Sequence, residues 1–332
     1  MVRELTYAQA VREATDQAME LDASVVLVGQ GTRDSNAIFG TCDGLFAKYG
    51  AERVIEMPLS ENALTGVCIG AALAGLRPLY VLQRADFLLL ALDQLLNHAA
   101  KWRFMLGGRA RVPLVIRCIV GKGWGQGPQH SQSLHSVLAH FPGLRVVMPA
   151  CPEDAKGLLL NAIFGDDTTV IFEGRPSHSV TGAVPEEPFA TPVGRARLVR
   201  AGSDVTIAAV SWLVPVAETA AARLADEGIG AEVLDLVSIS PIDEVTLDAS
   251  VAKTRRLVVA DPSWGPCGFA SELSAGVGER LFGRLAAPIG RITLPFNPTP
   301  TAAALEASHY PSVEQIVAKA RELLRFGSGG PR

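Results

Sequence analysis

The sequence predicts an α/β protein with two three-layer domains, each built on a mostly parallel sheet. Helical segments alternate with short apolar runs along the whole chain. The apolar runs are continuous and do not alternate with polar residues, which is typical of parallel strands buried on both faces. A length of 332 residues is enough for two domains, each with its own core.

The first domain is expected over residues 1–180. Within it, hydrophobic spacing predicts helices at Tyr7–Leu21, Asn62–Gly75, Leu88–Arg103 and Pro152–Ile163. Apolar runs predict strands at Ser24–Gly29, Arg77–Leu82, Val112–Ile119, Arg145–Pro149 and Thr168–Glu173.

A stretch rich in Pro, Gly, Ser and Glu follows, and its composition predicts a linker over residues 181–203. A second α/β series is expected over residues 204–326. Its strands are DVTIAAVS, AEVLDL, RLVVAD and RITLP, and helices lie between and after them. Residues 327–332, GSGGPR, are expected to be a flexible tail.

Composition excludes several classes of protein. The chain is 48% apolar and 19% charged, and its formal net charge of −4 without a basic block argues against nucleic-acid binding. The N-terminal segment carries acids, unlike a secretion signal, and no apolar run is long enough to span a bilayer. The five cysteines lack metal-ligand spacing and most lie inside apolar runs, so we expect reduced core thiols in a cytoplasmic protein and no zinc site.

The stretch from Glu56 to Phe87 contains the first candidate site. Ser60 is predicted to cap a helix, because its hydroxyl oxygen can accept hydrogen bonds from N–H groups of the first turn. Glu61 then opens a helix of small and apolar residues, with no Lys or Arg in the turn that follows. Glu61 is either a first-turn acid that faces water or a carboxylate that enters the core and serves a ligand.

Four segments follow one another here in the order found in a known family: PLSE, the small-residue helix, the strand RPLYVLQ and the turn QRADF. They resemble the β-chain of thiamine-diphosphate-dependent 2-oxo acid dehydrogenases, the E1 component. The resemblance covers most of the chain and implies a pyrimidine-binding domain followed by a transketolase C-terminal-like domain. It implies that Glu61 contacts N1′ of the aminopyrimidine and is catalytic. It also places Gln83 at the edge of that ring, Phe87 on its face and Leu59 in the cofactor site.

Two residues depart from the family pattern. Gln30 stands where relatives have a glutamate near the cofactor, and it can still form hydrogen bonds but carries no charge. Arg84 stands where relatives have phenylalanine or threonine. It could face solvent, pair with Asp86 or bind a substrate anion through its planar guanidinium. Phe87 has its own alternative, since most phenylalanines simply pack in a core.

The segment HSQSLHSVLAHFPGLRVVMP also resembles the family. Its first residue, His130, takes the position of the active-site histidine, which implies substrate binding and proton transfer. Without the resemblance, the group His130, His135 and His140 could suggest a metal site. Their five-residue spacing does not keep them on one helical face, so we expect no metal there. His135 and His140 are expected to serve packing or loop structure.

Half of a complete thiamine site is missing from this sequence. There is no GDG motif followed by an asparagine pair. The resemblance therefore implies an α-subunit that holds Mg²⁺ and the diphosphate, in an α₂β₂ heterotetramer whose β-chains pair through their C-terminal domains. A lipoyl-bearing or acyl carrier protein would accept the acyl unit. Relatives can hold potassium near AIFGDDTT, but Gly165 replaces an acid there and potassium stays unassigned.

The leading hypothesis is oxidative decarboxylation of a 2-oxo acid. A second hypothesis changes the donor, since Gln30 and Arg84 alter the cofactor surroundings and Lys122 and Trp124 lie in the loop before His130. The enzyme would then cleave a ketose phosphate, as transketolases do, and pass a two-carbon unit to a carrier protein.

A third hypothesis is a non-catalytic scaffold. It is motivated by Gln30 and by Asp261-Pro262, where relatives have His-Glu. The joint presence of Glu61, Phe87 and His130 argues against it, because a scaffold does not need these three side chains.

Overall fold

The computed structural model describes residues 2–34, 36, 38–123 and 125–326. They form two compact units, Met1–Lys122 with Gln129–Val193 and Gly123–Pro128 with Gly194–Arg332. Both units are α/β with mostly parallel sheets, so the predicted fold class is confirmed. Among the described residues, no helix has both the length and the apolar character needed to cross a membrane.

The sheet of the first unit contains parallel strands in the order β6-β7-β5-β4-β2-β3, and β1 pairs with β8 as a separate antiparallel ribbon. The strands are β1 (Val2–Thr6), β2 (Val25–Gly29), β3 (Val54–Glu56), β4 (Arg77–Leu82), β5 (Val115–Val120), β6 (Arg145–Val147), β7 (Thr169–Gly174) and β8 (Thr181–Pro185). The helices are α1 (Tyr7–Leu21), α2 (Leu45–Tyr49), α3 (Glu61–Leu73), α4 (Trp102–Met105), α5 (His135–Ala139) and α6 (Pro152–Phe164). Strands β2, β5 and β7 are buried along their whole length, as their continuous apolar sequences predict.

The strand order of this sheet reverses at β2. Leu27 pairs with Val54 of β3 on one side and with Leu79 of β4 on the other. The chain therefore leaves β2 in one direction and later returns to its opposite side. In open α/β sheets, ligands bind beyond the carboxyl ends of the strands at such a switch point. The fold thus places a candidate site at the carboxyl ends of β2 and β4.

The prediction of one regular α-helix over Leu88–Arg103 is wrong. The structure has a 3₁₀ helix at Ala85–Ala91, a π-helix at Gln94–Ala99 and the short α4. A tertiary contact acts at the start of this segment, where Asp86 accepts two hydrogen bonds from Gln132. Each of these pieces is only one or two turns long, which is too short for a hydrophobic period to distinguish the helix types, so the sequence pattern did not indicate the breaks.

The second unit has a sheet in the order β14-β13-β10-β11-β9, parallel except where β9 pairs with β11. Its strands are β9 (Arg197–Arg200), β10 (Val205–Ala209), β11 (Ala231–Asp235), β12 (Ser238–Ser240), β13 (Leu257–Trp264) and β14 (Gly290–Leu294). Its helices are α7 (Leu213–Ala225), α8 (Glu244–Thr254), α9 (Phe269–Arg280), α10 (Ala303–His309) and α11 (Val313–Arg325).

The segment 181–203, expected to be a linker, contains β8 and β9. Each pairs with a strand far away in the sequence, and a local composition rich in Pro and Gly does not report such pairing. The expected flexible tail, residues 327–332, lies outside the described residues.

All five cysteines are free thiols. Cys42, Cys68 and Cys118 are buried, as expected of core thiols. Cys151 is half buried and Cys267 is exposed, so the expectation of a core position is wrong for Cys267. This residue lies just before α9 with a backbone φ of 54°, in a turn that leaves its side chain outside the core.

Candidate active site

A hydrogen bond between two predicted site residues joins the carboxyl ends of β2 and β4. Gln83 Nε2 donates to the backbone carbonyl oxygen of Gln30 at 3.0 Å. Gln30 Nε2 in turn donates to the carbonyl oxygen of Pro58 at 3.3 Å, in the segment that leads into α3. Both glutamine side chains are half buried. Gln30 and Gln83 therefore lie together at the switch point of the sheet.

Glu61 is the first residue of α3 and is only 6% exposed, which excludes the water-facing interpretation. Its carboxylate lies at the helix N-terminus, where the helix dipole favours negative charge. Ser60 precedes it but makes no side-chain capping bond, so the predicted cap is wrong. With φ −166° and ψ 63°, Ser60 does not have the extended backbone of a capping residue.

Tyr80 on β4 was missed by the sequence reasoning, although a tyrosine inside an apolar strand is a recognisable signal. Its side chain is fully buried, and among the described residues its hydroxyl has no hydrogen-bond partner. Burial raises the pKa of Tyr80, and the negative charge of Glu61 acts in the same direction. A neutral phenol therefore shares the low-dielectric surroundings of the Glu61 carboxylate.

Phe87 and His130 meet edge to face. Their ring centres are 5.5 Å apart and the ring planes are inclined by 85°. Both residues are half buried, so Phe87 is not a fully packed core aromatic. Phe87 comes from the 3₁₀ helix after β4, and His130 from the end of the loop after β5. The fold thus brings together two predicted site residues from separate segments.

Gly121, directly after β5, accounts for the position of His130. A Cβ atom at Gly121 would lie 2.2 Å from the backbone carbonyl oxygen of His130, much closer than atoms can approach. Glycine therefore allows the two backbones to pack against each other. This contact holds His130 beside the carboxyl end of β5.

Asp86 is a second residue that the sequence reasoning did not place in the site. It is buried, and its Oδ1 accepts hydrogen bonds from the backbone N–H of Gln132 at 3.2 Å and from Gln132 Nε2 at 2.8 Å. Within the described ranges, its buried Oδ2 has no partner. Burial raises the pKa of Asp86 against the effect of the Gln132 hydrogen bonds. Asp86 thus ties the chain just beyond His130 to the 3₁₀ helix and leaves one oxygen for a ligand or water.

Arg84 is half buried, so it does not simply extend into solvent. Its Nη1 donates to the carbonyl oxygen of Gln83 at 2.7 Å, and its guanidinium carbon lies 5.1 Å from the centre of the Phe39 ring. Burial lowers the pKa of Arg84, and the charge of Asp86 acts in the opposite direction. The contact with Phe39 excludes the solvent-facing alternative for Arg84, and binding of a substrate anion stays a prediction.

Glu56, at the end of β3, anchors the loop that follows Gln30. Its carboxylate accepts hydrogen bonds from the N–H groups of Gly31 at 2.6 Å, Thr32 at 2.8 Å and Arg33 at 3.3 Å, and from the Thr32 hydroxyl at 2.8 Å. Burial opposes ionisation, but these bonds lower the pKa of Glu56. The sequence reasoning missed this role.

The other predicted residues lie apart from these contacts. Leu59 is 79% exposed in the single chain. His135 is buried, with Nδ1 3.0 Å from the Ser133 hydroxyl oxygen, and serves packing. Lys122 is half buried, and Trp124 lies outside the described residues. In the part of the chain that the structure describes, no group of three or more His, Cys, Asp or Glu side chains could hold a metal ion.

Comparison with known protein families agrees with this geometry. Residues 3–179 match the transketolase pyrimidine binding domain, and residues 194–316 match the transketolase C-terminal domain. The chain belongs to the transketolase-like family. The family's pyrimidine-binding domain thus coincides with the unit in which Gln30, Glu61, Gln83, Phe87 and His130 are found.

The proteins to which this chain is similar include β-subunits. The chain is 42% identical to the acetoin:2,6-dichlorophenolindophenol oxidoreductase subunit beta of Cupriavidus necator, over 98% of this chain and 99% of that protein. It is 40% identical to the pyruvate dehydrogenase E1 component subunit beta-2, mitochondrial, of Oryza sativa subsp. japonica, over 96% of this chain and 86% of that protein. The predicted resemblance to E1 β-chains is therefore confirmed.

A solved structure agrees at the level of the fold. A chain described as a split gene transketolase, inactive beta4 tetramer, superposes with a TM-score of 0.78 at 23% identity and covers 97% of this chain and 99% of its own length. This similarity extends over both units of the family fold.

Proposed function

We propose that this chain is the β-subunit of a heteromeric thiamine-diphosphate enzyme that decarboxylates a 2-oxo acid and transfers the acyl unit to a lipoyl carrier. The observation that carries the proposal is the burial of Glu61 at the N-terminus of α3. The pairs Gln30–Gln83 and Phe87–His130, which follow the carboxyl ends of strands in the same sheet, support it. The named E1 β-subunits among the relatives of the chain support the reaction class.

The residues present fit an aminopyrimidine ring. Phe87 offers a half-buried aromatic surface for stacking, and Glu61 offers a buried carboxylate. Asp86 adds a buried carboxylate oxygen that has no partner among the described residues. Gln83 and Gln30 can form hydrogen bonds at the edge of the ring, and Leu59 supplies an apolar contact once a partner subunit covers it.

Each of these residues has a proposed task. Glu61 holds a proton against N1′ of the pyrimidine. The hydrogen bond between them is strong because the buried surroundings have a low dielectric constant. Phe87 and Gln83 orient the ring. When bound, the cofactor supplies a nucleophilic carbon and an electron sink. His130 binds the substrate and moves a proton during decarboxylation or acyl transfer, and Phe87 limits the orientations of its ring.

The diphosphate and Mg²⁺ are assigned to a separate α-subunit. The sequence has no GDG motif with a following asparagine pair, which is where a complete thiamine enzyme holds these groups. We therefore place the active site at an interface with the α-subunit, and we assign pyrimidine binding to residues 1–180 and the C-terminal-like domain to residues 204–326. The free cysteines are consistent with a reducing, cytoplasmic location.

The proposed assembly is an α₂β₂ heterotetramer. Leu59, Val67, Leu90 and Phe104 are 79%, 56%, 60% and 90% exposed in the single chain. Monomeric proteins rarely expose so many large apolar side chains in neighbouring segments. Contact with other subunits would remove this apolar surface from water, and closed symmetry would give two equivalent active sites.

The test of catalysis is Glu61→Ala in the reconstituted α/β pair. We expect the rate of 2-oxo acid turnover to fall by much more than tenfold, because the proton at N1′ loses its carboxylate. Glu153→Ala is the matched control, since Glu153 is an exposed first-turn acid of another thirteen-residue helix, α6. Glu61→Ala activity within tenfold of wild type would sink the assignment.

The test of assembly is sedimentation of the chain with and without its candidate α-subunit, followed by calorimetric titration of thiamine diphosphate with Mg²⁺. We expect tight binding only in the α/β complex. Micromolar binding by the β-chain alone would contradict the split site. Absence of binding by the complex would instead favour the scaffold hypothesis.

A further inference from the structure

Two arginines approach the same aromatic ring beside the candidate site. The guanidinium carbon of Arg84 lies 5.1 Å from the centre of the Phe39 ring, and that of Arg175 lies 4.7 Å from the same centre. Arg84 lies two residues after β4, next to Gln83, and Arg175 directly follows β7. All of them belong to the first unit, at the carboxyl edge of its sheet.

The two positive charges are partly removed from water. Arg84 and Arg175 are both half buried. Burial, followed by the positive charge of Arg84, lowers the pKa of Arg175. Stacking on Phe39 offsets part of this cost, since the face of an aromatic ring attracts cations. An anion held by both guanidinium groups would stabilise them much more.

A buried arginine elsewhere in the unit has a different environment. Arg117 is fully buried and donates from both Nε and Nη2 to the carboxylate of Glu173. Glu173 is the strongest charge acting on the pKa of Arg117, whereas the charge acting on Arg175 is a second arginine. Arg117 thus forms an internal ion pair, whereas Arg84 and Arg175 bring two positive charges to one aromatic ring, and the negative charge of Asp86 acts on Arg84.

The position of Arg84 is fixed by its surroundings. Its Nη1 bond to the carbonyl oxygen of Gln83 restrains the guanidinium next to the proposed pyrimidine contact. Phe39, whose ring both guanidinium groups approach, has a backbone φ of 59°, a conformation that non-glycine residues adopt rarely. Such backbone strain concentrates at binding sites, where the surrounding structure maintains it.

We infer that Arg84 and Arg175 form an anion-binding subsite that takes an anionic group of the acyl donor remote from the reacting carbonyl, either the second carboxylate of a 2-oxo dicarboxylic acid or the phosphate of a ketose phosphate. The planar guanidinium binds both groups through paired hydrogen bonds. Because it rests on the proposed function, this inference narrows the donor to a dianionic class. A 2-oxo dicarboxylic acid and a ketose phosphate share this chemistry, and kinetics can distinguish them.

The test compares four donors with the reconstituted α/β pair: pyruvate, 3-methyl-2-oxobutanoate, 2-oxoglutarate and xylulose 5-phosphate. In Arg84→Gln and Arg175→Gln, we expect the KM of the preferred dianionic donor to rise at least tenfold. We expect kcat, and the KM values for pyruvate and 3-methyl-2-oxobutanoate, to stay within threefold of wild type. Arg33→Gln is the matched control, because Arg33 also stacks on a ring, that of Phe46 at 4.5 Å, but is exposed. Preference for a monoanionic donor in wild type, with dianion kinetics unchanged in both variants, would overturn the subsite.

A binding measurement separates this inference from the proposed function. If wild type turns over none of the donors, the proposed function fails, and calorimetry of the α/β pair with malonate and inorganic phosphate then decides the subsite. At least tenfold weaker anion binding in Arg84→Gln supports the subsite, and absence of anion binding by wild type overturns it. If a glutamine variant does not fold, Arg84→Lys or Arg175→Lys replaces it, since lysine keeps the charge but loses the paired hydrogen bonds.

Discussion

The backbone at Gly121 packs so closely against His130 that a Cβ atom at Gly121 would lie 2.2 Å from the His130 carbonyl oxygen. The end of β5 and the end of the long loop that follows it are thereby held together. The imidazole of His130 is brought to the ring of Phe87 by this contact. The position of the proposed active-site histidine therefore depends on one hydrogen atom in place of a side chain.

Gly121→Ala should lower kcat/KM of the α/β pair at least tenfold while the chain still folds. The added methyl group requires the backbone at His130 to move, which misplaces its imidazole relative to Phe87. Gly70→Ala is the control, because a Cβ there meets open space within α3, and alanine should stabilise the helix by about 0.5–1 kcal/mol. Steady-state kinetics and thermal melting measure the two effects, and full activity of Gly121→Ala would contradict the positioning role.

Tyr80→Phe should leave the free energy of unfolding unchanged or raise it by about 1 kcal/mol. The variant removes a buried hydroxyl that has no hydrogen-bond partner among the described residues. Tyr49→Phe is the comparison, because the Tyr49 hydroxyl bonds to Asp16 Oδ1 at 2.6 Å, and its loss should cost about 1 kcal/mol. Urea denaturation measures both. A loss of more than about 1 kcal/mol in Tyr80→Phe would show that the phenol makes a stabilising hydrogen bond, for instance to buried water.

Glu56→Gln should destabilise the loop after β2 and weaken cofactor binding by the α/β pair. The carboxylate accepts hydrogen bonds from Gly31, Thr32 and Arg33, whereas an amide has one acceptor oxygen and would turn a donor toward some of these N–H groups. We expect a cost of about 1–3 kcal/mol in unfolding free energy. Glu52→Gln, at an exposed position close in sequence, should have no measurable effect. Calorimetric titration and denaturation would refute the anchoring role if both variants behaved like wild type.

Arg117→Met should lower the free energy of unfolding by about 3–5 kcal/mol, because it leaves Glu173 buried without its guanidinium partner. Arg111→Met, which breaks the exposed Arg111–Asp166 pair, should cost about 0–1 kcal/mol. Urea denaturation of both variants at neutral pH measures the difference. Equal losses in the two variants would contradict the difference in burial.

The same pair predicts an acid dependence of stability. Burial opposes the charge on Glu173, but Arg117 and His178 lower the pKa of Glu173 to about 2. A depressed carboxyl pKa stabilises the folded state above the unfolded value, about 4.3, and this stabilisation is lost as the pH falls from there toward 2. We expect wild type to lose more stability than Glu173→Gln over this interval. Parallel acid titrations of the unfolding free energy would contradict the prediction.

The sequence by itself determined the elements with strong local patterns. Helix α1 begins and ends at the predicted residues, β4 coincides with its apolar run, and α6 differs from the prediction by one residue. Periodicity and turn residues act over a few positions, so one stretch of sequence is sufficient to define such an element. The motif around Glu61 also identified the family without any structure.

Tertiary structure decided which of these residues meet and which are buried. The alternatives for Glu61 were separated only by its burial, and those for Arg84 were narrowed by its contact with Phe39. Arg175 was not a candidate in the sequence at all, because the order of strands in the sheet brings β4 and β7 to opposite sides of β5. Strand order depends on long-range packing and not on local propensity, so the sequence pattern defined the elements while the folded sheet assembled the site.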